Sequence, residues 1–128
     1  MKLLLDTHIL LWAISTPAKL SRSTATLLSS VRNDLVFSVV SLWEVAIKTT
    51  ARRSANMIDV RVMRQGLLNH GYYELPVQGE HALFVEQLPP LHRDPFDRML
   101  VAQAWVEGMT LVTADKIIAR YPGRIHQA

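Results

Sequence analysis

The chain has no cysteine. This excludes a disulfide-stapled scaffold, a thiolate zinc site and a cysteine nucleophile, and it suits a reducing compartment. No apolar run approaches the roughly 18 residues that a membrane-crossing helix needs. Met1-Lys2-Leu3-Leu4-Leu5 opens like a secretory leader, but Asp6 ends the run after three leucines, shorter than a leader's apolar core. A soluble, cytoplasmic protein with no membrane attachment is expected. Motifs of fixed spacing are missing too: there is no phosphate-binding loop, no Gly-x-Gly-x-x-Gly and no Gly-x-Ser-x-Gly. Neither an internal repeat nor a linker interrupts residues 1–128, so one domain is expected, long enough to bury about two thirds of its unfolded surface.

What is present centres on the stretch from Leu91 to Trp105. Asp94 before Pro95 reads as a helix start, because Asp caps free amides and Pro at the first helical position loses no hydrogen bond. Asp97 then falls at the third helical position. From Phe96 to Val106 nearly every residue is apolar, so the helix should lie against a sheet with another element above it, and Gly108 should stop it. Capping by Asp94 and a dipole contact from Asp97 would together stabilise by roughly 1 to 2 kcal/mol. That alone would account for both acids.

Taken in order, Lys2 to Leu5 reads as a buried strand ending at Asp6, followed by a compact helix over His8 to Ile14. Ser21 caps a second helix with Ala25, Leu27, Leu28 and Val31 on its apolar side. Leu35 to Ser38 is a second strand. In the helix that follows, Ser41 and Glu44 match a capping box, and Glu44 with Lys48 forms an i,i+4 ion pair. From Thr49 to Asn56 the pattern weakens into polar residues including Arg52-Arg53, a stretch expected to be mobile. Val60, Met63, Leu67 and Leu68 mark another amphipathic helix ended by Gly71. Tyr72 to Leu75 is a third strand and Glu80 to Leu88 a short helix. Thr110 to Thr113 is a fourth strand with Asp115 just past its end, and Gly123 to His126 an edge strand. Trp12 and Trp43 are expected in the core. Strands separated by helical segments imply crossovers and a mostly parallel sheet covered on both faces.

In such a sheet every strand-to-helix junction lies at one edge. Asp6 follows strand one, Glu44 lies one or two turns past strand two, Asp97 opens the central helix and Asp115 follows strand four. Each has a private explanation as a cap or dipole partner, yet all four explanations put the residue at the same edge. Four carboxylates so close repel one another. Either some take up protons with raised, coupled pKa values or a cation sits among them. An all-oxygen site with Thr113 or Thr7 hydroxyls nearby suits Mg²⁺ or Mn²⁺ over zinc. With those four acids neutralised, the other seven face fourteen bases, ten of them Arg; that surface balance of +7 favours a polyanionic partner.

The order Leu-Leu-Asp6-Thr-His, Ser-x-x-Ser-x-x-Glu44-x-x-x-Lys48, His-Arg-Asp94-Pro-Phe-Asp97-Arg with a following Ala-Gln-Ala, and Leu-Val-Thr113-x-Asp115 resembles the PIN-domain ribonucleases. Within them it is most similar to the VapC-type toxins of toxin-antitoxin pairs. The resemblance implies a three-layer α/β/α sandwich and metal-dependent endoribonuclease activity, with Asp6, Glu44, Asp97 and Asp115 as the catalytic, metal-holding acids. It further implies an RNA substrate, a VapB-like antitoxin and a homodimer. The Gly-Lys-Leu segment usual soon after Lys48 is replaced here by Thr49 to Asn56, which bears on substrate handling more than on chemistry.

Within this reading Thr113 supports a ligand carboxylate or metal-bound water. Asp94 is chiefly the helix cap, with a contribution of charge, and Asp115 acts on the metal directly or through water. Lys48, Arg93 and Arg98 are the candidates for RNA phosphate contact. His8 and His92 lie near the acids in sequence, but a metal route needs no histidine base, so a structural role is expected for both. Two rival readings stand beside it. A phosphatase or phospho-acceptor domain is disfavoured because Asp6-Thr7-His8 lacks the second Asp of an Asp-x-Asp and no Lys follows a late strand. A non-catalytic module that keeps the fold to bind RNA or protein is separated from the nuclease only by assay.

Overall fold

The computed structural model describes residues 1–51 and 58–128. Along the chain come β1 (Lys2–Leu5), α1 (Thr7–Ser15), α2 (Arg22–Ser29), β2 (Asp34–Ser38), α3 (Val39–Ala51), α4 (Val60–Asn69), β3 (Tyr73–Leu75), α5 (Gly79–Val85), α6 (Pro95–Glu107), β4 (Thr110–Thr113) and β5 (Ile125–Gln127). Among the described residues, five strands form one sheet in the order β3-β2-β1-β4-β5, and every neighbouring pair is parallel. The expected mobile stretch runs over 49–56, and 52–56 of it lie outside the described residues. Among those described, no helix is long and apolar enough to cross a membrane.

The layers follow from side-chain alternation along strands buried on both faces. Leu3, Leu5, Phe37 and Val112 point to one face, where they pack with Ile9 and Leu10 of α1 and Met63 and Leu67 of α4. Leu4, Val36 and Leu111 point to the other, against Leu100, Val101 and Ala104 of α6. The result is the α/β/α sandwich anticipated from the sequence.

The central helix starts and stops as its residues dictate. Asp94 Oδ1 accepts the Phe96 and Asp97 amides at 2.8 and 3.3 Å, Pro95 occupies the first position, and Gly108 ends the helix with φ 68°, which a side chain would resist. Its one interior polar residue, Gln103, is fully buried. Ser38 Oγ donates to Gln103 Oε1 at 2.5 Å, and Gln103 Nε2 donates to the Pro76 carbonyl at 3.3 Å. These bonds tie the ends of β2 and β3 to α6.

Three local expectations are corrected. The third helix begins at Val39, not Ser41, because Ser38 Oγ accepts the Val40 amide at 3.0 Å. Ser41 therefore lies inside the helix and no Ser41–Glu44 capping box forms, although the Glu44–Lys48 pair does, at 2.6 Å. The second helix ends at Ser29, which leaves Val31 beyond it and 99% exposed. Trp43 is 59% exposed, not core, and meets the Phe96 ring edge-on at 5.0 Å; Trp12 is half-buried.

Gly123 sits just ahead of β5 with φ 116°, and a Cβ there would stand 2.9 Å from the Trp105 ring. Both the backbone conformation and the clash oppose a side chain. Gly123→Ala is expected to lower stability by about 1 to 3 kcal/mol in urea unfolding; an unchanged midpoint would show that the β4–β5 connection relaxes freely.

Candidate metal centre

Leaving β1, the chain builds β2 and β3 on one side of the sheet; leaving β4, it builds β5 on the other. Neighbouring strands whose connections diverge in this way open a crevice beyond their carboxyl ends. Asp6 stands at the end of β1 and Thr113 at the end of β4. Thr113 Oγ1 donates to Asp6 Oδ2 across the gap at 2.5 Å. Asp6 Oδ1 accepts the Ile9 amide at 2.9 Å and so caps α1.

Glu44 enters from α3 and is 3% exposed. Its Oε1 accepts the Thr7 hydroxyl at 2.6 Å and its Oε2 meets Lys48 Nζ at 2.6 Å, while Thr7 Oγ1 also lies 2.9 Å from Ser41 Oγ. Asp97 enters from the first turn of α6. Asp115 comes two residues after β4; its Oδ1 accepts the Ile117 and Ile118 amides at 2.7 and 3.1 Å. His92 is also in the site, with Nε2 3.0 Å from Asp115 Oδ2 and 3.5 Å from Asp97 Oδ2.

The acids share one field. Asp97 is pushed up to about 7, first by burial and then by the charges of Asp94, Glu44 and Asp6, with His92 pulling the other way. Among the described residues no amide or hydroxyl donates to its carboxylate, so it is the least compensated of the set. Burial also raises Asp6, against the Thr113 and Ile9 hydrogen bonds. Burial works to raise Asp115 as well, but the His92 bond and two helix amides outweigh it and hold that carboxyl below its ordinary value. Lys48 is raised by its hydrogen bond to Glu44, helped by Asp94 and Asp97.

This donor chemistry fits a hard divalent cation: carboxylates from four segments share one crevice, and burial together with neighbouring negative charge raises the Asp97 carboxyl to about 7. Asp6 and Glu44 each accept a donor on both oxygens, and a carboxylate oxygen has a second lone pair to offer. His92, Asp97 and Asp115 each present an atom within 4.8 Å of the others.

The remaining sequence-derived candidates divide. Asp94 caps α6 and lends its charge to Asp97 and Lys48. Arg93 is exposed. Arg98 turns inward: Nη1 donates to the Pro89 carbonyl and Tyr121 hydroxyl at 3.0 and 3.1 Å, and Nη2 to the Val85 carbonyl at 3.2 Å. Sequence reasoning left His92 out of the site. The one available sign was its place two residues ahead of a capping Asp, close enough for a turn to fold it back toward the helix start.

A carboxyl whose folded pKa lies near 7 against an ordinary 3.8 binds a proton in the folded chain that the unfolded chain has lost. Stability contributed by that proton is full below about pH 4 and falls as pH rises through about 7. In chelator, thermal stability should therefore fall from about pH 5 to about pH 8. Asp97→Asn should flatten this decline and stabilise the chain at pH 8 by up to about 4 kcal/mol. Parallel pH profiles for the two proteins would show that Asp97 ionises normally.

Comparison with known proteins agrees with this fold. Solved structures similar in fold include VapBC2 from Rickettsia felis bound to a promoter DNA fragment, with TM-score 0.76 and 19% identity over 99% of this chain and 98% of that one. DNA-bound VapBC from Salmonella typhimurium gives 0.72 and 20% over 99% and 98%. VapBC-5 from Mycobacterium tuberculosis, a member of the VapBC toxin-antitoxin family, gives 0.60 and 18% over 98% and 96%. No curated protein matches the chain. The sequence model of the PIN domain matches residues 3–124, a span that holds every acid gathered at the crevice, and the chain belongs to the PIN domain family.

Proposed function

We propose that this protein is a VapC-type toxin, an endoribonuclease that uses Mg²⁺ or Mn²⁺ to hydrolyse RNA phosphodiester bonds and is neutralised by a VapB-like antitoxin. The observation that carries the reading is the uncompensated Asp97 carboxyl among Asp6, Glu44 and Asp94 at the sheet's switch point. Such crowding costs the fold electrostatic energy, which a bound cation would offset.

Asp6, Glu44 and Asp97 would hold the cation, with Asp115 close by. When bound, the cation supplies charge to a phosphodiester oxygen and a water acidified enough to attack phosphorus. The chain's own groups prepare for this. Thr113 and Thr7 aim the Asp6 and Glu44 carboxylates through their hydroxyls, and the Asp94 cap fixes the helix turn that carries Asp97. Lys48, 57% exposed at its side chain though paired with Glu44, and exposed Arg93 would meet backbone phosphates. Arg98, with three contacts to its own chain, has fewer donors left for RNA. The VapBC complexes that share the fold support an antitoxin partner; the homodimeric state rests on the family resemblance alone.

Purified protein is expected to cleave single-stranded RNA with Mg²⁺ or Mn²⁺ and to stop in chelator. Asp97→Asn should cost about 100-fold or more, as loss of several kcal/mol of metal-derived stabilisation implies. Cleavage that survives both chelation and Asp6→Asn would overturn the assignment, and RNA binding without cleavage would make the chain a binding module. As a readout independent of contaminating nuclease, Mg²⁺ at pH 8 should raise the melting temperature of the wild type more than that of Asp97→Asn.

A further inference from the structure

Which nitrogen of His92 carries a proton follows from its neighbours. The Asp94 backbone N–H donates to Nδ1 at 3.0 Å. A backbone amide can only donate, so Nδ1 must offer its lone pair and the ring proton must sit on Nε2. That proton faces two acceptors, Asp115 Oδ2 at 3.0 Å and Asp97 Oδ2 at 3.5 Å. The backbone at His92 is held from behind, where its amide N–H donates to the Tyr121 hydroxyl at 2.9 Å. Tyr121 is in turn fixed by Arg98.

We infer that His92 is a positioning residue of the metal centre: an uncharged Nε2–H donor that clamps Asp115 and steadies Asp97, and not a metal ligand. This rests on the nuclease reading only for its purpose; the hydrogen-bond pattern stands without it. His92, Asp97 and Asp115 have the spacing of a three-residue ion site, but ligation through Nε2 would need the proton moved to Nδ1, against the Asp94 amide. The clamp also leaves Asp115 with donors on both oxygens, two amides on Oδ1 and the imidazole on Oδ2. The residues His92-Arg93-Asp94 form a bracket: the Asp94 amide sets the His92 tautomer, and the Asp94 carboxylate anchors the helix turn that presents Asp97. An uncharged donor between two carboxylates eases their repulsion while leaving their charge available to a cation, and supporting groups of this kind are worth about 10- to 100-fold in metal affinity.

The test uses the full chain labelled with ¹⁵N, with the His92 ring resonances assigned by their loss in His92→Ala. Long-range proton–nitrogen correlation is expected to show a protonated Nε2 and a bare Nδ1 in chelator, unchanged when Mg²⁺ is added. A proton on Nδ1, or loss of the Nε2 proton on adding Mg²⁺, would overturn the clamp. In Mg²⁺ calorimetry His92→Ala should weaken binding about tenfold, and His92→Gln, whose side-chain amide can donate from nearly the same point, should recover most of it. Equal losses in both variants would also overturn it. If His92→Ala fails to fold, the wild-type spectra and the Gln variant decide. A wild type that binds no Mg²⁺ would remove the nuclease reading, while the ring spectrum in chelator would still settle the tautomer.

Discussion

Negative charge gathered at one edge of a parallel sheet is the constraint from which the rest of the architecture takes its meaning. Asp6, Glu44, Asp94, Asp97 and Asp115 come from four separate segments, and each raises the electrostatic cost of the others. The protein offsets this piecemeal. Thr113 donates to Asp6, Thr7 and Lys48 to Glu44, and helix amides with His92 to Asp115. Asp97 receives least, and its carboxyl rises to about 7. Apolar side chains packed on both sides of the sheet hold the elements that carry the acids.

Holding charges in register demands rigidity, and several contacts outside the site supply it. The Ser38–Gln103 bond joins the turn that launches α3, bearing Glu44, to the middle of α6, bearing Asp97. Ser38 performs two tasks at once, because its oxygen also accepts the Val40 amide. Arg98 gathers the loop ahead of α6 by binding the carbonyls of Val85 and Pro89, and through Tyr121 it fixes the backbone of His92. A residue that reads in sequence as a phosphate ligand thus serves the site from behind.

Much of this was legible from residue order. Runs such as Leu3-Leu4-Leu5 specify strands buried on both faces because neighbouring side chains must point opposite ways, and Asp94-Pro95 with Gly108 bounds a helix through local backbone chemistry alone. The family resemblance lay in acids at strand ends and helix starts, positions that local structure assigns. Where reading failed, a distant partner decided. Ser41 had a good local reason to cap its helix, but Ser38, already placed by β2 pairing and by Gln103, took that role. Trp43 reads in sequence as a core residue, yet α3 turns it outward while Glu44 and Val45 take the buried positions.

By itself, then, the sequence determined the elements, their buried faces and the sheet edge on which the acids fall, since these depend on side-chain period, capping and chain direction. Tertiary structure decided which of those acids is left short of positive charge, which way Arg98 turns and what His92 touches. Such outcomes depend on distances of 3 Å between residues as far apart as 23 positions in His92 and Asp115 or 107 in Asp6 and Thr113, and no local propensity encodes them.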